Sequence, residues 1–485
     1  MRILLASAPY SPDATHENYM LDSVTGAEPP TGTLYVAGSL QRAGHDVRFL
    51  DGAFESSARI LAEVDRFRPD VFGVGCVVNL WPQASRLLSQ VGRHDPSVTL
   101  VAGGPGPSVL GERCLAECPA LDVVVMQEGE ITTPELVDRL SRRQTLCGVA
   151  GALSREEAAG RAHNDLRPAI ADLDSLAYPA YDLVDVRRYR PHVGAYRTLP
   201  AVPVVTSRGC PFHCLFCSQL LGHTIRYRQP DACMEEIASY ARDYAVRQIT
   251  FYDEHFTFRR ERVERFCELF LEKRLRLLWM AAARVDSVDE DILKKMKRAG
   301  CSQIFFGIES GVQKNLDFLC KGNTVDMARR AVAMTHAAGI LTMSLFILGI
   351  PGETVDEAKQ TGRFARELNS HYSEFFPLTP FPGTRLAEIA PEFGALDPDI
   401  EHYNMHSIVF VPATMTREEL ESVRRWAYLR CCLNLRFVAR RLRHLRYRED
   451  FEIAYLGLKF LIRLIVDDFH RRISRKRADG AERLS

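Results

Sequence analysis

The chain has 485 residues, which is too long for a single hydrophobic core and predicts two or three domains. Lysine plus arginine and aspartate plus glutamate number 62 each, so no chain-wide field would attract nucleic acid. The 13 cysteines are too few for a disulfide scaffold in a chain of this size, and the first residues read as a strand rather than a signal peptide. We therefore expect a reducing, cytoplasmic environment.

Residues 1–147 alternate short apolar strands with helices. Strands are predicted at 3–6, 47–50, 71–77, 100–102 and 122–126, and helices at 33–43, 57–68, 83–91 and 134–140. This alternation predicts an α/β fold with a doubly wound, Rossmann-like parallel sheet, in which ligands bind at the carboxyl ends of the strands. Gly103 and Gly104 follow one such strand and would let the backbone approach a bulky ligand. No G-x-G-x-x-G motif follows the first strand, so a dinucleotide is not expected.

Residues 148–200 read as a linker, and strand–helix alternation resumes over residues 201–390. Strands are predicted at 202–205, 248–252, 277–281, 303–308, 341–348 and 374–378, and helices at 234–243, 262–273, 290–299, 325–338 and 355–368. A parallel strand followed by a helix, repeated in this way, predicts a partial (β/α)6 TIM-like barrel. In such barrels the functional residues lie at the carboxyl ends of the strands.

A cysteine loop follows the first strand of the predicted barrel. Cys210, Cys214 and Cys217 are spaced C-x3-C-x2-C on a short loop. Three thiolates with one open position suit a 4Fe–4S cluster whose fourth iron is free to bind a ligand. Zinc is the competing metal, but it usually needs a fourth protein ligand, and no second cysteine pair follows. A chance grouping of free thiols is the remaining alternative.

The loop also carries an aromatic residue, Phe216, directly before the third cysteine. This pattern resembles the radical S-adenosylmethionine (SAM) enzymes, and the resemblance implies that Phe216 contacts SAM. Each later strand of the predicted barrel ends in a residue that fits the same family, in its cobalamin-dependent class. The resemblance covers nearly all of residues 1–390.

The strand ends supply the expected SAM-binding residues. The resemblance implies that Glu254 holds the SAM amino group, that Arg284 pairs with its carboxylate through a bidentate fork, and that Glu309 accepts from the ribose hydroxyls. Gly349 and Gly352 would admit the adenine against the backbone. Each charge by itself would otherwise be read as part of a surface ion pair.

The amino-terminal domain resembles the cobalamin-binding domain that precedes the barrel in many of these enzymes. The residues expected to bind cobalamin are Thr31, Gly32, Asn79, Gly103, Gly104, Glu128, Gly129 and Glu130. The D-x-H-x-x-G motif is absent, because Asp13 and His16 have the wrong spacing. The resemblance thus implies cobalamin without a histidine ligand, with loop 76–81 against its lower face. Gly106 stands where relatives often carry a histidine, and a domain that no longer binds the cofactor is the alternative.

The resemblance implies methylation of an unactivated carbon of a small-molecule or natural-product intermediate, through a 5′-deoxyadenosyl radical and methylcobalamin. A non-methylating oxidative cyclisation or ring rearrangement is the first alternative, and a cobalamin or cluster sensor is the second. A reductase, flavodoxin or ferredoxin would supply electrons. Side chains that could face the substrate are Tyr252, His255, His371, Tyr372 and His402.

Residues 391–485 read as a helical region with a basic tail. Helices are predicted at 417–448 and 451–469, and the second is too short and too charged to span a bilayer. We expect disorder in the basic residues 471–477. The region is either a lid packed on the barrel with solvated arginines or a contact with a membrane surface.

Overall fold

The structure, a computed structural model, describes residues 1–9, 26–155 and 166–482. Within this part of the chain, two six-stranded sheets lie one on each side of residue 200 in sequence. No helix among the described residues has the length and apolar character needed to cross a membrane.

The first sheet and its helices form the amino-terminal domain. Its elements are β1 (Arg2–Ser7), α1 (Thr31–Arg42), β2 (Asp46–Leu50), α2 (Ser57–Phe67), β3 (Val71–Gly75), α3 (Trp81–His94), β4 (Thr99–Gly103), α4 (Pro105–Leu110), α5 (Glu112–Glu117), β5 (Val123–Val125), α6 (Gly129–Ser141) and β6 (Ala152–Ser154). The strand order is β2-β1-β3-β4-β5-β6, with β6 antiparallel to β5 and the others parallel. The predicted Rossmann-like sheet is confirmed. Its sixth strand falls in the segment expected to be a linker.

The second sheet forms the barrel. Its elements are β7 (Ala201–Val204), β8 (Ser207–Arg208), β9 (Arg226–Tyr227), α7 (Pro230–Asp243), β10 (Gln248–Phe251), α8 (Arg260–Glu272), β11 (Leu278–Ala283), α9 (Glu290–Arg298), β12 (Cys301–Glu309), α10 (Gln313–Phe318), α11 (Val325–Ala337), β13 (Leu341–Leu348), α12 (Val355–Leu368) and β14 (Tyr372–Pro377). Strands β14-β13-β12-β11-β10-β7 lie side by side in that order and are all parallel. The predicted partial barrel is confirmed. The sequence did not predict α10 or the short hairpin β8–β9.

A segment expected to be part of the linker closes the amino end of the barrel. Gln303 Nε2 donates to the carbonyl of Gly194 at 2.6 Å, and Gln248 Nε2 donates to the carbonyl of Ala195 at 3.1 Å. A Cβ atom on Gly194 would lie 2.7 Å from Met343 Cε, so this segment fits tightly against the strands. We call residues 192–197 the plug. It leaves the opposite, carboxyl end of the lumen to the strand-end loops.

The carboxyl-terminal region packs on the outside of the barrel. Its elements are α13 (Arg385–Ile389), β15 (Gly394–Leu396), β16 (Phe410–Pro412), α14 (Arg417–Cys432), α15 (Leu435–Arg443) and α16 (Arg448–Glu482). Trp426 of α14 packs over Gly362 of α12, where an added Cβ would lie 2.7 Å from the indole. The single helix expected over 417–448 is broken at Asn434, whose side chain caps α15. The backbone of α16 is helical through residues 471–477, where the sequence predicted disorder, because no proline interrupts the run.

Candidate active site

The cysteine loop lies between β8 and β9, at the carboxyl end of the first barrel strand. Gly209 starts the loop with a φ of +96°, and a Cβ there would lie 2.4 Å from the carbonyl oxygen of Thr224. The Cys210 amide then donates to the Gly222 carbonyl at 3.1 Å, and the Cys217 amide donates to the Cys214 carbonyl at 3.1 Å. The backbone itself therefore fixes this loop, and glycine is required where it begins.

The three thiols lie near one another and are accessible. Cys210 and Cys214 are half-buried and Cys217 is exposed. Burial, together with repulsion from Cys214 and Cys210, raises the pKa of Cys217 to about 11. No three His, Cys, Asp or Glu side chains in the described ranges converge on a single metal ion. A 4Fe–4S cluster binds each cysteine through a different iron atom, so three neighbouring, non-convergent thiols on one loop fit that group.

Asp253, directly after β10, holds the base of this loop. Its buried carboxylate accepts from the Thr206 amide and hydroxyl, both at 2.6 Å, and from the Ser207 hydroxyl at 2.7 Å. Burial raises the pKa of Asp253, and these hydrogen bonds oppose the rise. The neighbouring Glu254 accepts from the Gly209 amide at 3.2 Å and keeps an exposed side chain at the mouth of the loop. The two acidic residues thus differ in role, one structural and one available to a ligand.

Arg284, at the end of β11, is tightly held beneath the cysteine loop. It forms two hydrogen bonds with Asp286, at 3.0 and 2.9 Å, and donates to the carbonyl of Lys321 at 2.8 Å. Its guanidinium lies 3.8 Å from the centre of the Phe212 ring, within cation–π distance. Arg284 therefore orients the loop as well as standing where the SAM carboxylate is expected.

His255 lies beside the same ring and is a buried polar group without partners. Its ring centre is 5.5 Å from that of Phe212, and neither of its ring nitrogens has a hydrogen-bond partner among the described residues. Burial and the nearby Arg284 lower the pKa of His255 to about 4, so the imidazole is neutral at physiological pH. Buried polar groups are normally hydrogen-bonded, so a ligand or ordered water is expected here.

Glu309 and Lys321 form a buried ion pair next to the cysteines. Glu309 ends β12 with a φ of +66°, and its carboxylate lies 2.7 Å from Lys321 Nζ. Burial raises the pKa of Cys214, and the Lys321 ammonium and Arg284 oppose this rise. The sequence pointed to Glu309 but missed Lys321. This lysine follows the unpredicted α10 in a loop without a motif, and only its position after Cys320 could have marked it.

The glycine loop after β13 is fixed by a buried carboxylate. Gly349 and Gly352 both have positive φ, and Glu353 accepts from the Gly349 amide at 2.7 Å and from Asn315 Nδ2 at 2.8 Å. Burial raises the pKa of Glu353 to about 7. The loop lies at the same edge as the cysteines, because it follows the carboxyl end of a parallel strand.

The lumen of the barrel contains a second group of functional side chains. Gly307 of β12, Leu345 of β13 and Glu374 of β14 are half-buried positions that stand side by side in register. Because alternate strand residues face opposite sides, Glu374 faces the lumen. Its carboxylate lies 3.9 Å from His192 Nε2 on the plug, and among the described residues it makes no hydrogen bond.

Burial raises the pKa of Glu374 to about 7. His406 lies nearby, with its ring centre 5.3 Å from that of Phe376, and burial lowers its pKa to about 4. The sequence missed all of Glu374, His192 and His406. Their proximity depends on barrel closure and on the plug, which local patterns do not reveal.

The other suggested substrate-facing residues are elsewhere. His371 is buried at the amino end of the sheet, where its Nδ1 accepts from the Thr342 amide, and Tyr372 follows it. His402 pairs with Asp397 at 2.8 Å on the outside. Tyr252 is 46% exposed at the carboxyl end of β10. Tyr252 and His255 thus lie at the edge of the cysteine site, Tyr372 lies on the same strand face as Glu374 and packs against the plug, and His371 and His402 lie elsewhere.

At the carboxyl edge of the first sheet, the end of β4 carries no side chains. Gly103 and Gly104 end β4, and a Cβ on Gly104 would lie 2.9 Å from the carbonyl oxygen of Cys76. A Cβ on Gly106 would lie 2.7 Å from the backbone of Val77, so no histidine fits at that position here. Strand order reverses between β1 and β3, which opens a crevice at this edge. A crevice whose wall is backbone at Gly103 and Gly104 leaves room for a large ligand such as cobalamin.

The remaining expected cobalamin residues divide into two groups. Thr31 and Gly32 start α1 and Asn79 lies half-buried in the loop after β3, all near the crevice. The segment containing Asp13 and His16 lies outside the described residues. Gly129 begins α6, between Glu128 and Glu130.

Glu128 and Glu130 bind arginines of the barrel. Arg208, the residue before Gly209, reaches Glu128 at 2.6 Å and Glu130 at 2.5 Å, and Arg226 reaches Glu128 at 2.7 Å. Burial would raise the pKa of Glu128, but the two arginines outweigh it and lower that pKa. These carboxylates connect the amino-terminal domain to the base of the cysteine loop. Whether Glu128 and Glu130 also contact cobalamin stays a prediction.

Two family models match the chain, one on each sheet. The model described as radical SAM superfamily matches residues 204–365, and the model described as B12 binding domain matches residues 18–137. The first match contains the cysteine loop and the strand-end residues, and the second contains the open edge of the first sheet.

Known relatives span both domains. The chain is 35% identical to an uncharacterised methyltransferase of Pyrococcus horikoshii, covering 75% of this chain and 78% of that protein. It is 28% identical to the anaerobic magnesium-protoporphyrin IX monomethyl ester cyclase of Rubrivivax gelatinosus, covering 84% and 74%. The fold is shared with the radical SAM methyltransferase TsrM from Kitasatospora setae, solved with tryptophan and a SAM analogue, at a TM-score of 0.66 and 20% identity over 87% of this chain and 82% of that one.

The chain belongs to the radical SAM superfamily, in the class that carries a cobalamin-binding domain before the barrel. It is an enzyme whose cofactors are a 4Fe–4S cluster, SAM and cobalamin.

Proposed function

We propose that the protein is a methyltransferase that acts on an unactivated carbon of a small molecule. The observation that carries this proposal is the connection of the two cofactor domains: Arg208 bridges the cobalamin domain and the first residue of the cysteine loop. When bound, the cluster and SAM supply one-electron chemistry that removes a hydrogen atom, and cobalamin supplies a transferable methyl group. The protein's task is to hold the substrate carbon between them and exclude water.

The SAM contacts are also a proposal. Glu254 has an exposed carboxylate at the mouth of the loop, suited to the SAM amino group, and the neutral His255 offers unpaired nitrogens nearby. Arg284 supports the SAM carboxylate from the position that Asp286 and Phe212 fix. Glu309, Phe216, Gly349 and Gly352 border the same edge. We propose Cys210, Cys214 and Cys217 as the cluster ligands.

The proposed cobalamin contacts lie at the carboxyl edge of the first sheet. We propose that the cofactor lies on the edge formed by Gly103, Gly104 and Asn79, beside Thr31 and Gly32, without a histidine below cobalt. Gly106 supports this, since the backbone of loop 76–81 occupies the space a histidine would need.

Glu374 supplies a recognition group for the substrate. Its carboxylate lacks a hydrogen bond within the described residues and lies in the lumen near His192. A half-buried carboxyl without a hydrogen bond is stabilised when a ligand donor pairs with it. We therefore propose that the substrate presents a hydrogen-bond donor, such as an amine or hydroxyl, to Glu374.

Product analysis tests the methyltransferase. The reconstituted protein would be incubated anaerobically with SAM, cobalamin, a strong reductant and an extract of the source cells. Methylation releases both 5′-deoxyadenosine and S-adenosylhomocysteine, and one compound gains the mass of a methyl group. The Cys214→Ala variant should form neither product, and SAM cleavage that survives this change would contradict the cluster assignment.

Cyclisation is the second candidate, supported by the similarity to the protoporphyrin cyclase. It predicts 5′-deoxyadenosine without S-adenosylhomocysteine and a product two hydrogens lighter. A reductase, flavodoxin or ferredoxin is the proposed electron donor in either case. A reducing cytoplasm is the proposed compartment, consistent with cysteines that are all free among the described residues.

We also propose that the carboxyl-terminal helices contact an anionic membrane surface. Phe451, Tyr455, Leu458 and Ile462 are each more than half exposed on α16, and their spacing puts them on one face. Exposed cations surround this face: Arg436, Arg443, Arg446, Arg448, Lys459 and Arg463. An apolar stripe with a cationic border is typical of helices that lie in a membrane interface.

Charge favours lipid over a second copy of the chain. The described acidic residues near the stripe are already paired: Asp450 with Arg197 at 2.7 Å, Glu449 with Arg247 at 3.7 Å, and Glu452 with Arg190. A symmetric dimer through this face would bring like charges together. Vesicles containing phosphatidylserine should sediment the protein, and vesicles of phosphatidylcholine alone should not.

The variant Leu458→Ser/Ile462→Ser should weaken this sedimentation. Leu271→Ser is the matched control, since Leu271 is 48% exposed on the distant α8. Sedimentation unaffected by the double change, or dimerisation without lipid, would contradict the membrane contact.

A further inference from the structure

The lumen of the barrel holds open space beside an interior strand. Trp279 of β11 packs against Phe270 of α8 on the outer face of the sheet, with 5.9 Å between the ring centres. Because side chains alternate along a strand, Ala282 faces the lumen instead. Ala282 is exposed, although β11 lies between β10 and β12. An exposed alanine on an interior strand shows that no other side chain fills the space in front of it.

The wall around this space is mostly apolar. Phe305 of β12 stands beside Ala282 in register, and Gly307 and Leu345 stand beside Glu374. Four uncharged wall residues are half-buried and keep part of their surface free, namely Phe305, Gly307, Leu345 and Phe376. Such a wall suits the apolar body of a ligand.

The charges of the wall are few and of one sign. The six strands of the barrel sheet contain no lysine or arginine, and their two acidic residues are Glu309 and Glu374. Glu309 pairs with Lys321 at the mouth of the lumen. Glu374 makes no hydrogen bond within the described part of the chain, and its carboxylate lies 3.9 Å from His192 Nε2, which is longer than a hydrogen bond. Neither group therefore satisfies the other.

A second histidine reaches the same place from a fixed turn. Asn404 Oδ1 accepts from the amides of His406 and Ser407 at 3.0 and 2.9 Å, and Arg424 donates to the His406 carbonyl at 2.6 Å. Burial, together with the nearby Arg424 and His192, lowers the pKa of the His406 ring to about 4. The ring of His406 is therefore neutral, lies close to His192 and is held in position by its own turn.

These side chains present three acceptors from three segments. Burial lowers the pKa of His192 as well, so both imidazoles are neutral at physiological pH. Neither ring makes a hydrogen bond to another described residue, so each can offer one nitrogen as an acceptor. Glu374 adds a carboxylate, and the Phe376 ring, 5.3 Å from that of His406 between centres, adds an aromatic face. A positive group with several N–H donors would satisfy all of them.

We propose that the substrate is an apolar molecule with a primary amine, whose ammonium group binds between Glu374, His192 and His406. The ammonium has three donors and one positive charge, which match the two imidazoles and the carboxylate. A hydroxyl has one donor and no charge, and a carboxylate would face Glu374 as a like charge. This inference rests on the proposed function, since it takes the lumen as the substrate site, and it narrows the donor to one chemical class.

The test measures binding without turnover, on the full chain with its cluster reconstituted. Equilibrium dialysis compares 2-phenylethylamine with 2-phenylethanol and 3-phenylpropionate, which carry a hydroxyl and a carboxylate on the same apolar body. The amine should bind at least about tenfold more tightly than either, because it alone forms charge-assisted hydrogen bonds with Glu374. An amine that binds no more tightly than the alcohol would overturn the proposal. Since no product forms, this result is independent of whether the enzyme methylates or cyclises.

Variants locate the amine. Glu374→Gln should weaken 2-phenylethylamine by about tenfold or more, and Glu388→Gln, which changes an exposed glutamate of α13, is the matched control. His406→Phe keeps a ring beside Phe376 but removes the acceptor, and it should weaken the amine several-fold. Thermal unfolding checks that each variant is folded. Amine binding that is unchanged in Glu374→Gln would overturn the proposed site.

The affinity for the amine should rise with pH. The ammonium binds the ionised form of Glu374, and the ionised fraction of a carboxyl with a pKa of about 7 rises about fourfold between pH 6.5 and pH 8. Burial keeps His192 and His406 neutral, and on α14 Arg424 stays charged and Tyr428 stays neutral over this range. A flat pH profile in the parent, or the same rise in Glu374→Gln, would contradict an ammonium bound to Glu374.

Discussion

Individual carboxylates in this protein are tuned by what surrounds them. Asp253 and Glu353 are buried but satisfied by backbone amides, and Glu309 is satisfied by Lys321. Glu374 is half-buried in the lumen and makes no hydrogen bond within the described residues. The first three hold loops in position, and Glu374 remains available to a ligand.

Glu374 should make stability fall as pH rises. Its folded-state pKa of about 7 exceeds its ordinary value of 4.5, so the folded state holds the proton more tightly. The stabilising contribution of this one group is therefore fully present below pH 4.5 and is lost as pH rises through 7. Glu374→Gln should remove a penalty of up to about 3 kcal/mol at pH 8 and change little at pH 4.

Urea unfolding at the two pH values measures this difference. Glu388→Gln, which removes half of an exposed pair with Arg385, should change the free energy of unfolding by less than about 1 kcal/mol at either pH. A Glu374→Gln effect that is equal at pH 4 and pH 8 would contradict the titration argument.

Lys321 should be essential to the folded site. Lys321→Met leaves the Glu309 carboxylate buried and unpaired, which typically costs about 3–5 kcal/mol. Adding Glu309→Gln should recover most of the loss, because the charge is then gone. Lys314→Met breaks a more exposed pair with Glu357 and should cost less than about 1 kcal/mol. Equal effects of the two lysine changes, measured by urea unfolding, would refute the buried pair.

At the scale of elements, the cysteine loop depends on one backbone conformation. Gly209→Ala meets the Thr224 carbonyl at 2.4 Å and also has an unfavourable positive φ. Gly222→Ala has a similar φ of +83° but meets no atom within 4 Å. We expect the first variant to lose most of its iron after anaerobic reconstitution and the second to retain it. Both variants strain a backbone with positive φ, but only Gly209→Ala also collides with a neighbouring atom. The iron content of the two proteins therefore shows which of the two effects disrupts the loop.

The elements themselves were largely predictable, and some of the site was not. Strands such as β3 and β13 are continuous apolar runs because both faces of a parallel sheet are covered, and such runs are visible in sequence. Cys210 and Arg284 were predictable because they follow strands directly. Lys321 was not, since its contact with Glu309 depends on how α10 folds back against the end of β12. Glu374 sits inside a strand, and only barrel closure turns it toward the lumen.

At the scale of the whole molecule, Arg208 links the two cofactor domains. Arg208→Met leaves Glu130 buried without its partner and weakens the contact to Glu128. We expect the parent to unfold in one calorimetric transition and this variant to unfold in two, with the amino-terminal domain unfolding first. Arg86→Met removes an exposed pair with Glu401 that also joins distant parts of the chain, and it should leave one transition. One transition in both variants would show that Arg208 does not couple the domains.

The plug affects the order in which ligands enter and leave the barrel lumen. Because residues 192–197 close the amino end, the carboxyl end, where Arg208 contacts the amino-terminal domain, is the expected entry to the lumen. A ligand that covers this entry would hinder the release of a molecule bound deeper in the lumen. We therefore expect the ligand that reaches Glu374 to bind before the one that covers the entry.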